Sequence, residues 1–356
     1  MDIKAKFSKL TLLAALFAVF SLTSCESVFD DEGDCSTHYL LKFKYDMNMK
    51  FADAFANNVN HVEVFVYDIN TGNLVLKQVE SGAALQNEDY RMELEGLKPG
   101  TYDIIAWCGD GLQAGNFDLG SDANIDDINC TMDRDVNTPK SVVGMVAGTV
   151  SKDVGQLYHG YGRVEFAETY GTYERTLKLV KNTNQVRIIL QHLSGIDVNP
   201  DDFEFTIEDN NGLLAPDNSV VQDMPIVYFP WSVTAGKAGI DADIYPPVAP
   251  ELQPKSQTSV SVALAEFTVN RLVMENDPIL SIYNVRENHK LILAIPLKDY
   301  ALLVKGNYNR NMDDQEYLDR QDEYNLTFFL DEYGNWASSR IIINSWALVL
   351  NSNTLK

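Results

Sequence analysis

The residues best placed to do chemistry stand near the N-terminus. Leu22-Thr23-Ser24-Cys25 closes a short apolar run, and Lys4, Lys6 and Lys9 precede that run. A basic start, an apolar core from Leu10 to Leu22 and small residues before a cysteine read as a secretory signal peptide ending in a bacterial lipobox. The chemistry is diacylation of the Cys25 thiol, then cleavage after Ser24, with Leu22, Thr23 and Ser24 as the signal peptidase recognition residues. The apolar run is shorter than the roughly 20 residues that span a bilayer. Two or three acyl chains on Cys25 would hold the chain in a membrane stably, where one chain binds only marginally.

Elsewhere the sequence offers little that resembles a catalytic centre. The five histidines (His38, His61, His159, His192 and His289) show neither HExxH nor another ligand spacing. No G-x-S-x-G elbow, P-loop or dinucleotide fingerprint occurs. Asp126-Asp127, Asp201-Asp202 and Asp313-Asp314 are carboxylate pairs, but adjacency in sequence does not set the roughly 5–10 Å separation a glycosidase needs. Asp122, Asn124 and Asp126 place oxygen donors at alternate positions, as calcium loops do, without the EF-hand glycine and terminal glutamate. Tyr158, Tyr161, Tyr170 and Tyr173 cluster in sequence; sugar stacking and packing at a sheet edge both explain them. Cys35, Cys108 and Cys130 remain after acylation of Cys25, an odd number whose disulfide pairing stays open, and their spacing does not fit a zinc site. The expectation is a non-enzymatic protein with no catalytic, metal or cofactor-binding residues and no cofactor.

The elements that carry these residues read as strands. Leu41, Phe43 and Tyr45 share one face of a strand from His38 to Tyr45. Val62, Val64 and Val66 do the same before the turn Asn70-Thr71-Gly72, and Leu74-Val75-Leu76 completes a hairpin. Thr101 to Cys108 reads as a buried strand, and Phe51 to Phe55 as one helical turn. Residues 109–140 are rich in Gly, Asp and Asn and predict a long loop, with a short helix at most near Asp122 to Ile128. Strands resume near Val142 to Val146 and Tyr161 to Phe166. Beyond Arg175 the strand runs are Val186 to His192, Phe203 to Ile207, Ser259 to Leu264, Lys290 to Ile295, Tyr324 to Leu330 and Arg340 to Leu350, with a proline-rich, loop-rich stretch over 213–257.

Long amphipathic helices are missing, so the chain is expected to be all-β, with two tandem antiparallel β-sandwich domains. The expected organisation is a signal peptide (1–24), an acidic tether (25–36), an N-terminal sandwich (37–174) and a C-terminal sandwich (175–356). The two halves show no strict short-period repeat, which leaves a shared topology open. The formal charge of −23 argues against nucleic-acid partners. The run Glu26 to Asp34 serves as a solvated linker or as an acidic signal for transport to the cell surface.

Several stretches together resemble the FimB-like fimbrial anchor-subunit lipoproteins of Bacteroidota, within the fimbrillin superfamily. They are the lipobox, Cys35 to Asp46, Phe51 to Phe55, Val62 to Asp68, Leu97 to Tyr102 and Ala106 to Gly109. Later come Phe267 to Leu272, Leu280 to Asn284, Tyr324 to Leu330, Trp336 and Ile341 to Trp346. The resemblance covers nearly the whole mature chain. It implies two transthyretin-like β-sandwich domains, lipid anchoring on the outer membrane at the fimbrium base, pilin subunits as partners and a limit on fibre length. It also implies that related stalk subunits lose an N-terminal strand to an arginine-specific protease, opening a groove for a neighbour's strand. Between Cys25 and Arg91 this chain has no arginine, which favours an anchor over a stalk subunit. The run Arg340 to Leu350 is the expected strand for pairing with a pilin, unless it pairs wholly inside its own domain. The other reading is a surface glycan-binding lipoprotein.

Overall fold

The computed structural model describes residues 36–136, 148–167, 169–239, 259–306, 309–344 and 346–349. The lipobox Leu22 to Cys25, the tether up to Cys35 and the run Val142 to Val146 lie outside them.

The first half contributes β1 (Thr37–Lys44), β2 (His61–Asp68), β3 (Leu74–Ser81), β4 (Met92–Glu93), β5 (Gly100–Cys108), β6 (Phe117–Leu119), β7 (Cys130–Met132) and β8 (Gly148–Val150). It ends in β9 (Tyr158–Phe166), β10 (Gly171–Lys178) and β11 (Val180–Lys181). The second half contributes β12 (Thr183–His192), β13 (Phe203–Asp209), β14 (Leu213–Leu214), β15 (Ile226–Tyr228), β16 (Ser232–Gly239) and β17 (Ser259–Asn270). Then follow β18 (Ile279–Asn284), β19 (Lys290–Pro296), β20 (Glu323–Leu330), β21 (Trp336–Ile343) and β22 (Trp346–Val349).

The protein is mostly β, as its alternating runs predict. The sheet β10-β1-β4 faces the sheet β11-β9-β5-β2-β3, and β16-β17-β12-β20-β21-β22 faces β19-β18-β13-β15-β8. A small sheet, β14-β7-β6, joins residues from both halves. Most pairs are antiparallel. Among the described residues three are parallel: β1 with β10, β12 with β20, and β15 with β8. Parallel neighbours need long connections, and each of these pairs joins strands far apart in sequence.

The two sandwiches share a seven-strand topology. The strands β1, β2, β3, β4, β5, β9 and β10 correspond in order to β12, β13, β15, β17, β18, β19 and β20. In each sandwich the first strand pairs parallel with the seventh and antiparallel with the fourth. The facing sheet runs sixth, fifth, second, third in both. The second sandwich adds β16, β21 and β22 at edges where the first has no further strand among the described residues. Strand β10 crosses residues 174 and 175 and pairs with β1 over its whole length.

Two cores follow from the strand periodicity. Tyr39, Leu41, Phe43, Val62, Val64, Ile104 and Leu177 meet inside the first sandwich. Val186, Ile188, Phe205, Ile207, Phe267, Ile282, Leu326 and Phe328 fill the second. The outer face of β2 and β5 (Phe65, Tyr67, Ile105 and Trp107) joins the larger core under residues 112–132 and 150–157, among them Phe117, Met132 and Leu157. These two strands are thus buried on both faces, which explains their near-continuous apolar runs. Cys108 belongs to the first core and Cys130 to the second, and both are free, buried thiols.

Candidate functional site

A subunit that meets its neighbour by strand pairing acts through sheet edges and the slots between strands. The first slot is filled by β1. Its eight residues pair with β10 from Thr37↔Gly171 to Lys44↔Lys178, and Leu40 and Leu41 face Glu93 and Met92 of β4. The main chain is tied at its flanks too: Gly171 N–H donates to Ser36 O (3.1 Å), Leu94 N–H to Tyr39 O (2.8 Å) and Leu179 N–H to Lys44 O (2.8 Å). Alternate side chains face inward. Tyr39 meets Phe166 with ring centroids 4.4 Å apart, Phe43 stacks on Phe55 at 5.3 Å, and Tyr45 meets Tyr158 edge-on at 5.0 Å. Burying such side chains stabilises a fold by roughly 1.5–3 kcal/mol each, so β1 is a central part of its sandwich.

The second candidate edge is C-terminal. Arg340 to Leu350 was expected as one strand; Asn344, at φ +47°, divides it into β21 and β22. Strand β21 pairs with β20 on one side and with β22 on the other (Arg340↔Val349 to Ile343↔Trp346). Among the described residues the outer edge of β22 is therefore the strand edge this hairpin presents.

Between the sandwiches lies a polar junction. The helix Asp314–Arg320 ends in Arg320, which donates to Asp46 O (2.9 Å) and Asn48 O (3.3 Å) and lies 4.3 Å above the Phe51 ring. Lys181, 7% exposed, pairs with Asp322 at 2.8 Å. Asn182 and Asn218 exchange side-chain hydrogen bonds at 2.6 and 2.9 Å. His159 Nε2–H donates to Pro216 O at 2.9 Å beside Trp107. Burial lowers the His159 pKa to about 4, which keeps the imidazole neutral at ordinary pH. Only the sequence's strand pattern hinted at these residues; no motif marks the junction.

The other residues of chemical interest take local roles. Asp313 Oδ1 caps its helix by accepting from Gln315 N–H (2.9 Å), and Asp202 pairs with Arg286 at 2.6 Å. Asn124 Oδ1 accepts from Asp126 N–H at 3.1 Å, and Asp122 reaches Lys77 at 3.4 Å. Among the described residues no group of three or more His, Cys, Asp or Glu is arranged to hold a metal ion. The tyrosine cluster does not form one platform: Tyr158 is a core residue, Tyr161 donates to Asp103 Oδ1 (3.1 Å), and Tyr173 packs near Tyr39.

A family model described as fimbrillin-A associated anchor proteins Mfa1 and Mfa2 matches residues 31–352. The chain belongs to this family. Among solved structures, an adhesin candidate from Bacteroides thetaiotaomicron is 32% identical, with a TM-score of 0.75, over 90% of this chain and 100% of that one. A candidate polysaccharide-binding protein of the same organism is 28% identical, with a TM-score of 0.71, over 89% and 99%. The fimbrial anchor protein Mfa2 of Porphyromonas gingivalis has the same fold at 14% identity, with a TM-score of 0.61, over 89% and 100%. No curated protein sequence matches the chain. Membership of the anchor family associates the chain with fimbriae. Among the described residues no helix is long and apolar enough to cross a membrane.

Proposed function

We propose that this protein is a non-enzymatic, lipid-anchored subunit that holds fimbriae on the outer membrane. The lipid is carried by Cys25, exposed by cleavage after Ser24, with Leu22, Thr23 and Ser24 as the recognition residues. The acidic run Glu26 to Asp34 tethers the first sandwich to the bilayer. The observation that carries this reading is the occupied β1 slot. Eight residues of β1 are paired and its inward side chains are buried, while no arginine stands between Cys25 and Arg91 to permit processing. A subunit whose own strand fills the slot, and whose N-terminus carries the anchor, suits the base of a fibre. It would meet a pilin through an unprocessed edge, with the outer edge of β22 as the candidate, and so limit fibre length. Strand addition completes main-chain hydrogen bonds at such an edge.

Replacing Cys25 with Ala in the native strain tests this function. With secretion of the variant verified, intact fibres are expected to move from the cells to the medium. Unchanged surface and shed fractions would overturn the anchor reading. Glycan binding is then the reading to test, favoured by the similarity to a candidate polysaccharide-binding protein.

A further inference from the structure

The outer face of the sheet β19-β18-β13-β15-β8 carries a groove of about 270 Å³. Phe205 and Ile207 of β13 point into the core, so Glu204, Thr206 and Glu208 point out. Glu208 sits between Ile279 of β18 and Val227 of β15. Its carboxylate makes no hydrogen bond or ion pair with any described residue, and burial raises its pKa. Glu275 lines the groove and is likewise unpaired among the described residues. Asp209, 4% exposed, also lines it. Its Oδ1 accepts from Asn210 N–H (2.7 Å) and Asn276 Nδ2 (3.1 Å), while its Oδ2 has no partner. The nearby Lys298 is already committed to Met274 O, Asn276 O and Asp277.

We propose that this groove binds a long cationic side chain, arginine or lysine, presented by a partner protein. The chemistry matches in two parts. Val227, Ile279 and Tyr283 offer an apolar floor for a methylene stem. Glu208 and Glu275 supply carboxylates that pair with no cation among the described residues, and a guanidinium satisfies carboxylates with paired hydrogen bonds. The buried Asp209, whose charge Lys298 offsets only in part, adds to the negative field without itself meeting the ligand. A buried carboxylate with one oxygen unpartnered is costly, so folding alone gives little reason to keep Asp209 charged. The inference is independent of the lipid at Cys25.

The test titrates the full chain in detergent with an acetylated tri-arginine amide, following the methyl resonances of Ile279 and Val227 by NMR. The tri-citrulline peptide, neutral and nearly isosteric, is the control. Saturable shifts of these methyls with tri-arginine alone are expected. They should weaken several-fold when ionic strength rises from about 0.02 to about 0.3 M. Glu208→Gln, which removes an unpaired charge and should fold normally, should weaken binding at least fivefold. Equal shifts with tri-citrulline, wild-type affinity in Glu208→Gln, or shifts spread over the surface that bypass Ile279 and Val227 would each overturn the proposal. Shifts of these methyls by cellotriose with tri-arginine silent would assign the groove to saccharides instead.

Discussion

Asp209 and His159 are both buried titratable groups, and they respond to acid in opposite senses. Burial raises the Asp209 pKa to about 6 and lowers that of His159 to about 4. The folded state thus holds the Asp209 proton more tightly than the unfolded chain, and the penalty for its charge is complete above about pH 6. That penalty fades as pH falls toward the unfolded value near 4. His159 takes up its proton less readily when folded, so its contribution is constant above about pH 6.5 and is lost as pH falls toward 4. The prediction concerns Asp209→Asn. It should stabilise the protein by on the order of 1–3 kcal/mol at pH 7, with the gain vanishing near pH 4. Urea denaturation at both pH values measures it; an equal gain at both, or a loss at pH 7, would show that desolvated charge is not what Asp209 adds.

At the scale of elements, β1 is the strand whose removal matters most. Phe43 packs on Phe55 and near Tyr90 inside the first core, so Phe43→Ala should cost about 3–5 kcal/mol in chemical denaturation. A cost below about 1 kcal/mol would mean that the slot is loosely filled and exchangeable. Strands of this kind were legible because alternation over several residues survives in the sequence: β1, β2 and β13 stand where Leu41-Phe43-Tyr45, Val62-Val64-Val66 and Phe203 to Ile207 predict them. Shorter elements were not legible. Residues 109–140 read as loop, yet Phe117–Leu119 and Cys130–Met132 are strands, and the expected helix near Asp122 is a three-residue turn, Ile125–Asp127. A three-residue strand has no measurable period; β7 exists because β6 and, more than 80 residues later, β14 pair with it. The helices Leu297–Leu303 and Asp314–Arg320 were missed for the same reason, being two turns long and held by tertiary packing. Of the candidate groove, Glu204 and Glu208 were visible only as the polar half of an alternating strand. Their approach to Glu275 is a product of the fold.

The whole molecule has a direction. Strand β1 runs from Thr37 to Lys44 and leads to Asp46 and Asn48 at the junction. There Lys181 and Asn182 hand the chain to β12, which leads away toward His192 and the loop beside Leu330. The junction therefore joins the end of β1 to the start of β12, and under the proposed anchoring a pull passed from one sandwich to the other would cross it. Arg320 is its most connected side chain, held by Glu316 at 2.8 Å while it bonds two carbonyls across the interface. Arg320→Ala removes those hydrogen bonds and the contact with Phe51 without opening either core. Each charge-assisted hydrogen bond adds roughly 1.5–3 kcal/mol. The expected result is faster hydrogen exchange confined to residues 46–52 and 181–184, with β5 and β12 as protected as in the wild type. Exchange that rises throughout both sandwiches would mean that they fold as one cooperative unit. Exchange unchanged at 46–52 would mean that the buried amides Asn182 and Asn218 hold the junction without Arg320.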